Sequence, residues 1–277
     1  MFKKILFIFF LVSSLIIFNS CTSNDKVKIQ PKEKIELEVL YKKAYINFQN
    51  GNYNDSLTLF EKVEKDYSYT EWAPRALLMR SFIYYETANY IPALINLKKF
   101  KSRYSGNKNI DYVEYLIAIC MFEQINFVAL SQEPTELALK QFKKIISDYP
   151  KSNYVNDARF KIDLINEQLA AKEIYLARYY SKRDRWVPAL YRLNIILEKY
   201  QNTIFIEEAL HRLVEINFKI GNINSAKKYA AILGYNYNSS DWYKKSYKIL
   251  NGKNIETEKN KAKKTLKEKI KQIIQMK

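Results

Sequence analysis

The chain has 277 residues and a formal net charge of +17, from 46 Lys and Arg against 29 Asp and Glu. It contains one His and two Cys, which excludes a metal site built from several histidines and leaves at most one disulfide. Only five Gly and six Pro interrupt it, so long helices are expected.

The first twenty residues have the pattern of a bacterial lipoprotein signal. A short basic start precedes an apolar stretch over residues 5–18, which is shorter than the about 20 residues of a membrane-spanning helix. Cys21 follows, so residues 1–20 are predicted to be removed and Cys21 to be lipidated, although Phe18 stands where such signals usually have Leu. Thr22, in place of the Asp that often marks inner-membrane retention, favours the outer membrane. The alternative is a simple secretory signal with an incidental Cys.

The polar residues 21–36 are predicted to be a tether between the lipid anchor and the folded part. The other cysteine, Cys120, lies in the apolar run "EYLIAICMF" and is predicted to be a buried, unreactive thiol. With Cys21 acylated, no disulfide is available.

One spacing of side chains recurs along the chain. In "WVPALYRLNIILEKY" an aromatic residue, a small residue, a large apolar residue and a final Tyr stand at offsets 0, 3, 7 and 14. Offsets 0, 3 and 7 lie on one face of a helix, and the small residue lets the preceding helix approach closely. This repeat frame begins, with some substitutions, at Tyr53, Tyr90, Thr135, Trp186 and Ile223.

A second apolar helix and a polar turn precede most copies of the frame, and Gly51 and Gly221 mark helix ends that need a left-handed residue. Paired helices of this kind are typical of tetratricopeptide repeats. The sequence therefore predicts an all-α solenoid in which five helix pairs over residues 37–250 stack into a right-handed superhelix. Trp186 is expected to be a packing residue. Extra residues between the second and third copies, and between the third and fourth, predict longer helices or loops.

Residues 251–277 form a Lys-rich tail, with nine Lys against three Glu. Leu266, Ile270, Ile273 and Ile274 would fall on one face of a helix, which predicts an amphipathic segment on anionic lipid or on an acidic partner. The alternative is a solvated, partly disordered tail.

Two function classes are disfavoured. A basic chain can bind nucleic acid, but this one has no recognition motif and is predicted to be secreted. No phosphate loop, nucleophile elbow or prominent carboxylate pair indicates an enzyme, so we expect no catalytic residue, no metal and no cofactor.

Several segments resemble the BamD family, the lipoproteins of the β-barrel assembly machinery in the Gram-negative outer membrane. They are "NIDYVEYLIAICMF", the stretch from "YPKSNYVNDARF" through "ARYYSKRDRWVPALYRLNIILEKYQNT", and "EALHRL". The resemblance covers about residues 35–240. It implies that the first segment is an insert between repeats. It implies a non-enzymatic scaffold at the periplasmic face of the outer membrane. Such a scaffold works with BamA, the barrel-inserting subunit, and with other lipoproteins of the machinery, and receives unfolded outer-membrane proteins.

The resemblance also implies sites. Arg192 occupies the position of a family arginine that contacts BamA, with Arg183 and Arg185 as weaker candidates; the alternative is a set of solvated arginines. Repeat position suggests that a groove for a substrate's C-terminal peptide contains Tyr41, Tyr45, Phe82 and Tyr85, with Arg80, Arg75 or Arg103 as the cation. Core packing would explain the same aromatic residues.

The chain departs from the family pattern in one loop, and two alternative functions remain open. The link "EQINFVALSQEPTEL" lacks the longer, charged loop expected between repeats two and three, so contacts made by that loop are in doubt. The rival functions are those of other periplasmic repeat lipoproteins, namely a pilus-secretin pilot protein or a cell-envelope coordinator.

Overall fold

The computed structural model describes residues 31–252, with side chains from residue 34 onward. The expected signal peptide, the lipidation site at Cys21 and the amphipathic segment of the tail lie outside this range. Within it every regular element is an α-helix, which confirms the all-α class.

The described residues contain ten named helices, which we group by their order along the chain into five consecutive pairs. They are α1 (Pro31–Gln49) with α2 (Tyr53–Asp66), α3 (Trp72–Glu86) with α4 (Tyr90–Arg103), α5 (Ile110–Phe122) with α6 (Glu133–Asp148), α7 (Val155–Ser181) with α8 (Trp186–Lys199), and α9 (Ile206–Lys219) with α10 (Ile223–Asn236). Residues 241–252 are also helical. Because α1 begins at Pro31, the last residues assigned to the tether, 31–36, belong to the first helix.

The chain divides into two compact units, with the boundary between Ile83 and Tyr84 near the end of α3. The core of the first unit contains Leu37 and Ala44 of α1, Phe60 and Val63 of α2, and Ala76 and Ile83 of α3. The second unit has one core cluster around Phe142 and Ile165, and another around Leu193 and Leu213. Burial of these side chains is the main favourable term that holds each unit together.

The repeat frame describes the second helix of every pair. Its small residue is fully buried in all five copies, at Ser56, Ala93, Ala138, Ala189 and Ala226. In the first copy the Ser56 hydroxyl donates to the backbone carbonyl of Ala44 at 2.8 Å, so the two helix backbones approach closely, as the small residue predicts. The final Tyr of each copy is the C-cap residue of its helix, at Tyr67, Tyr104, Tyr149, Tyr200 and Tyr237. Trp186 packs half-buried against the core, as expected.

The turn within four of the pairs places one residue in the left-handed region directly before the N-cap. Gly51 and Gly221 have φ of 77° and 84°, which confirms the prediction made from the two glycines. Ala88 and Asp184 occupy the corresponding position in the second and fourth pairs, with φ of 56° and 55°. A side chain there is strained, because its Cβ approaches the backbone carbonyl oxygen.

In the third pair one prediction from the sequence is wrong. The segment "NIDYVEYLIAICMF" is not an insert between repeats: Ile110–Phe122 is α5, the first helix of the third pair. The short link over residues 123–132 therefore joins the two helices of this pair. It is fixed to α7, since Gln168 donates to the carbonyl of Asn126 and Lys172 to those of Ala129 and Leu130. The predicted extra length is thus found in this link and in α7, which has 27 residues.

Candidate protein-binding surfaces

Arg192 lies on α8 and turns its guanidinium towards α7. Its Nη1 atom donates to both carboxylate oxygens of Glu173, at 3.2 and 3.3 Å. The Arg192 side chain remains 31% exposed and that of Glu173 15%. Only Nη1 is used in this contact, so the contact with Glu173 leaves the fork formed by Nε and Nη2 unoccupied. Such a fork matches the two oxygens of a carboxylate.

Exposed apolar side chains lie near Arg192 on the same helix. The guanidinium lies 5.6 Å from the ring centre of Tyr191, and the side chain of Tyr191 is 63% exposed. Val187, one helical turn earlier, is 79% exposed. Arginine and tyrosine are among the residues enriched at the energetic centres of protein interfaces.

Arg183 and Arg185 lie at the turn that joins α7 and α8, and both are exposed. The guanidinium of Arg183 stacks on the ring of Tyr179 at 3.8 Å and donates to the Tyr179 carbonyl at 3.3 Å. The backbone of Arg185 caps the start of α8. Together with Arg192, these residues give the α7–α8 pair a basic and aromatic surface, which we call the hairpin surface.

In the first unit the aromatic residues expected to form a groove divide into two environments. Tyr45 and Phe82 both pack on Phe48, with ring centres 6.1 and 6.0 Å away. Tyr41 instead packs edge-on against Phe60 and Trp72, at 5.1 and 4.8 Å, beside the core. The structure therefore brings two of the expected groove residues together through Phe48.

Tyr85 belongs to the second unit, where its ring packs beside the core cluster around Phe142 and lies 6.3 Å from the ring of Tyr90. Burial raises the pKa of Tyr85, and nearby acidic groups raise it further. Its hydroxyl is therefore neutral at physiological pH and can act only as an uncharged hydrogen-bonding group.

The arginines expected to supply a cation differ in access. Arg80 is only 11% exposed, and its guanidinium is bound to the buried carboxylate of Glu64 at 2.8 Å and to Glu61 at 3.4 Å. Its charge is therefore balanced within the first unit. Arg75 is 44% exposed, lies over the ring of Trp72 at 5.0 Å, and pairs with the exposed Glu71. Arg75 is the more accessible cation of the two.

Two further residues shape these surfaces and were not predicted from the sequence. Glu173 holds Arg192, and Phe48 joins Tyr45 to Phe82. Glu173 and Arg192 are on different helices, so no local spacing marks the pair. Phe48 did carry a signal, because it lies three residues after Tyr45 on the same helix face.

The chain is similar to known proteins over most of its length. The family model described as "Outer membrane lipoprotein" (YfiO) matches residues 33–233. The BamD outer membrane protein assembly factor of Caulobacter vibrioides is 37% identical over 231 residues, which cover 83% of this chain and 76% of the relative. The chain belongs to the BamD family. The BamD protein of Rickettsia prowazekii is 31% identical over 241 residues, covering 87% of this chain and 96% of that protein.

Membership of the BamD family confirms the resemblance found in the sequence and favours an assembly factor over a pilot protein or an envelope coordinator. The family is one of outer-membrane lipoproteins. None of the helices that the structure describes is long and apolar enough to cross a bilayer.

Proposed function

We propose that the protein is a scaffold of the outer-membrane β-barrel assembly machinery, anchored at the periplasmic face of the outer membrane through lipidated Cys21. It binds a BamA-type barrel protein and other lipoproteins of the machinery, and it receives unfolded outer-membrane proteins. The proposal is supported by relatives named as assembly factors and by helix pairs whose exposed aromatic and basic groups suit protein binding. Its mechanism is binding and relay, with no bond made or broken.

The hairpin surface is the proposed docking site for the BamA-type protein. The observation that carries this assignment is the geometry of Arg192: Glu173 holds one nitrogen, while the side chain stays 31% exposed. A carboxylate of the partner would accept from the remaining fork, and Tyr191 would be covered at the same time. Arg183 and Arg185 extend the positive potential of this surface and speed encounter with an acidic partner.

The cluster of Tyr45, Phe48 and Phe82 is the proposed contact for the aromatic C-terminal end of a substrate peptide, with Arg75 as the cation for its carboxylate. Tyr45 is 41% exposed, so a substrate ring can stack on it without displacing the core.

Co-purification of the barrel protein tests the docking site. The protein is isolated from detergent-solubilised membranes as wild type, as Arg192→Glu, and as the charge exchange Glu173→Arg with Arg192→Glu. The exchange restores an ion pair between α7 and α8 but presents the wrong charge outward. Arg159→Glu, an exposed arginine at the start of α7, is the control for loss of positive charge.

We expect wild type and Arg159→Glu to recover the barrel protein, and both Arg192 variants to lose at least about tenfold, as for an interfacial hot spot. If the charge exchange binds normally while Arg192→Glu does not, the Arg192–Glu173 pair serves folding and the docking assignment is wrong. If folded wild type recovers no barrel protein at all, the assembly function itself is wrong.

A further inference from the structure

Helix α1 has aliphatic side chains on two opposite sides. On one side Leu37 and Ala44 are fully buried in the core of the first unit. On the other, Ile35 is 64% exposed, Val39 62% and Ile46 44%. Their spacing of four and seven residues places these three side chains in one line along the helix. We call this line the outer row.

The outer row is unusual for its position. The end elements of repeat arrays normally present a polar outer face, because no further repeat covers them. Single exposed aliphatic residues are common on soluble proteins, but an aligned set on a terminal helix marks an interaction site. The first helix of this protein is therefore built to be covered on its outer side.

The predicted lipid anchor limits what can cover it. Cys21 precedes Pro31, the first residue of α1, by ten residues. A fully extended chain of this length spans at most about 33–36 Å, so lipidation at Cys21 would keep α1 next to the bilayer. The lipid surface is then present at high local concentration, whereas a protein partner would have to be recruited.

Exposed lysines beside the outer row also suit a lipid surface, whereas the exposed Glu38 on its other flank is paired with Lys34 at 3.9 Å. Lys42 lies in line with the row between Val39 and Ile46, and Lys43 lies next to it; both side chains are exposed. Lysine side chains on such a helix extend along the apolar surface and place their charge among anionic headgroups.

We propose that α1 lies on the periplasmic surface of the outer membrane, with the outer row inserted at the boundary between headgroups and acyl chains. This rests on the lipid anchoring in the proposed function, and it adds an orientation: the first unit is held against the membrane by its own helix as well as by its lipid. The anchor and the helix then act as two attachments, which together bind a membrane far more firmly than one.

A fluorescent label tests this proposal. The full lipidated protein is labelled with an environment-sensitive dye at Val39→Cys and, as a matched control, at Thr58→Cys on α2, and it is reconstituted into phosphatidylethanolamine–phosphatidylglycerol vesicles. Thr58 is exposed and polar. Labelling is specific, because Cys120 is fully buried and burial raises the pKa of its thiol to about 12. A third sample has the Val39 label together with Ile35→Ser and Ile46→Ser.

We expect the Val39 label to shift to the blue and to be about threefold or more less accessible to aqueous iodide than the Thr58 label, as for a group at the acyl boundary. The two serine substitutions should remove this protection without changing the thermal stability. Equal quenching at both positions would overturn the proposal, while recovery of the barrel protein would still support the assembly function.

The same samples distinguish two other molecules that could cover the outer row. Protection that disappears when the protein is diluted with excess lipid would assign the outer row to a second copy of the chain. Protection that appears only when the barrel protein is added would assign it to that partner. Either result overturns contact with the membrane.

Discussion

Glu114 on α5 links three helices of the second unit through one buried carboxylate. Its side chain is 1% exposed, and its carboxylate accepts from Lys101 of α4 at 2.7 Å, from Lys144 of α6 at 2.7 Å, and from Gln141 of α6 at 2.6 Å. Three consecutive helices are thus tied to one buried charge. We predict that Glu114→Gln destabilises the second unit.

The magnitude follows from the exposure of the partners. Removing one member of a fully buried ion pair costs about 3–5 kcal/mol. Here Lys101 and Lys144 are 42% and 35% exposed and can turn to water, so the loss is closer to that of hydrogen bonds to a charged group, about 2 kcal/mol. Urea unfolding at pH 7 measures this loss of unfolding free energy, and the melting temperature should fall by about 4–8 °C.

The pH dependence gives a second test of the same link. Burial alone would raise the pKa of Glu114, but the hydrogen bonds from Lys101, Lys144 and Gln141 outweigh it and hold the pKa below its ordinary value. A carboxyl group with a lowered pKa stabilises the fold above its unfolded pKa of about 4.3, and this contribution is lost as the pH falls through the folded pKa. The difference between wild type and Glu114→Gln should therefore shrink below pH of about 4.

Glu71 supplies the control, because it is 72% exposed and is paired with the exposed Arg75. Glu71→Gln should change the unfolding free energy by less than about 0.5 kcal/mol. If Glu114→Gln is no more destabilising than Glu71→Gln, the buried charge does not hold the three helices together.

Two further predictions concern a turn and a histidine. Ala88→Gly should raise the unfolding free energy by about 0.5 kcal/mol in urea titrations, since relief of left-handed strain of about 1–2 kcal/mol exceeds the added chain entropy of glycine; a loss of stability would contradict this. Gly221→Ala, the reverse change at the equivalent position, should cost about 1 kcal/mol. Burial lowers the pKa of His211 below 6.5, and its Nδ1 lies 2.8 Å from the Ser246 hydroxyl. Because the unfolded chain then binds a proton more readily, stability should decline as the pH falls below about 6.5, and His211→Gln should flatten this dependence; an unchanged slope would show that another group is responsible.

Much of the fold was predictable because the repeat frame is local. Its small residue, its large apolar residue and its final Tyr depend on helix period and helix length alone, and all five copies occupy the predicted place in their helices. The third pair was harder to recognise, since α5 has apolar residues around most of its surface and shows little periodicity. Seven of its residues are buried, which removes the polar stripe that normally marks a repeat helix.

The candidate sites were less predictable, because the spacing of residues in the sequence does not show which charged side chains pair between helices. Arg80 and Arg192 look alike in the sequence: each is an arginine on a helix face with a glutamate on the neighbouring helix. In the structure the side chain of Arg80 is almost fully buried beside Glu64, whereas about a third of the Arg192 side chain is exposed to solvent. That difference depends on packing depth and appears only when the helices are assembled.

The contrast between these arginines also separates stability from binding. A guanidinium buried with its carboxylates has its desolvation offset by its own partners, so it has little free energy to gain from a new ligand. A partly exposed guanidinium that is bound through one nitrogen still contacts water, which a partner's carboxylate can replace. Its internal partner already holds it in one orientation. A fixed orientation combined with exposure to solvent is what a docking residue requires. By this criterion Arg192, held by Glu173 and flanked by Tyr191, is the better candidate for a protein contact, and Arg80 is part of the framework of the first unit.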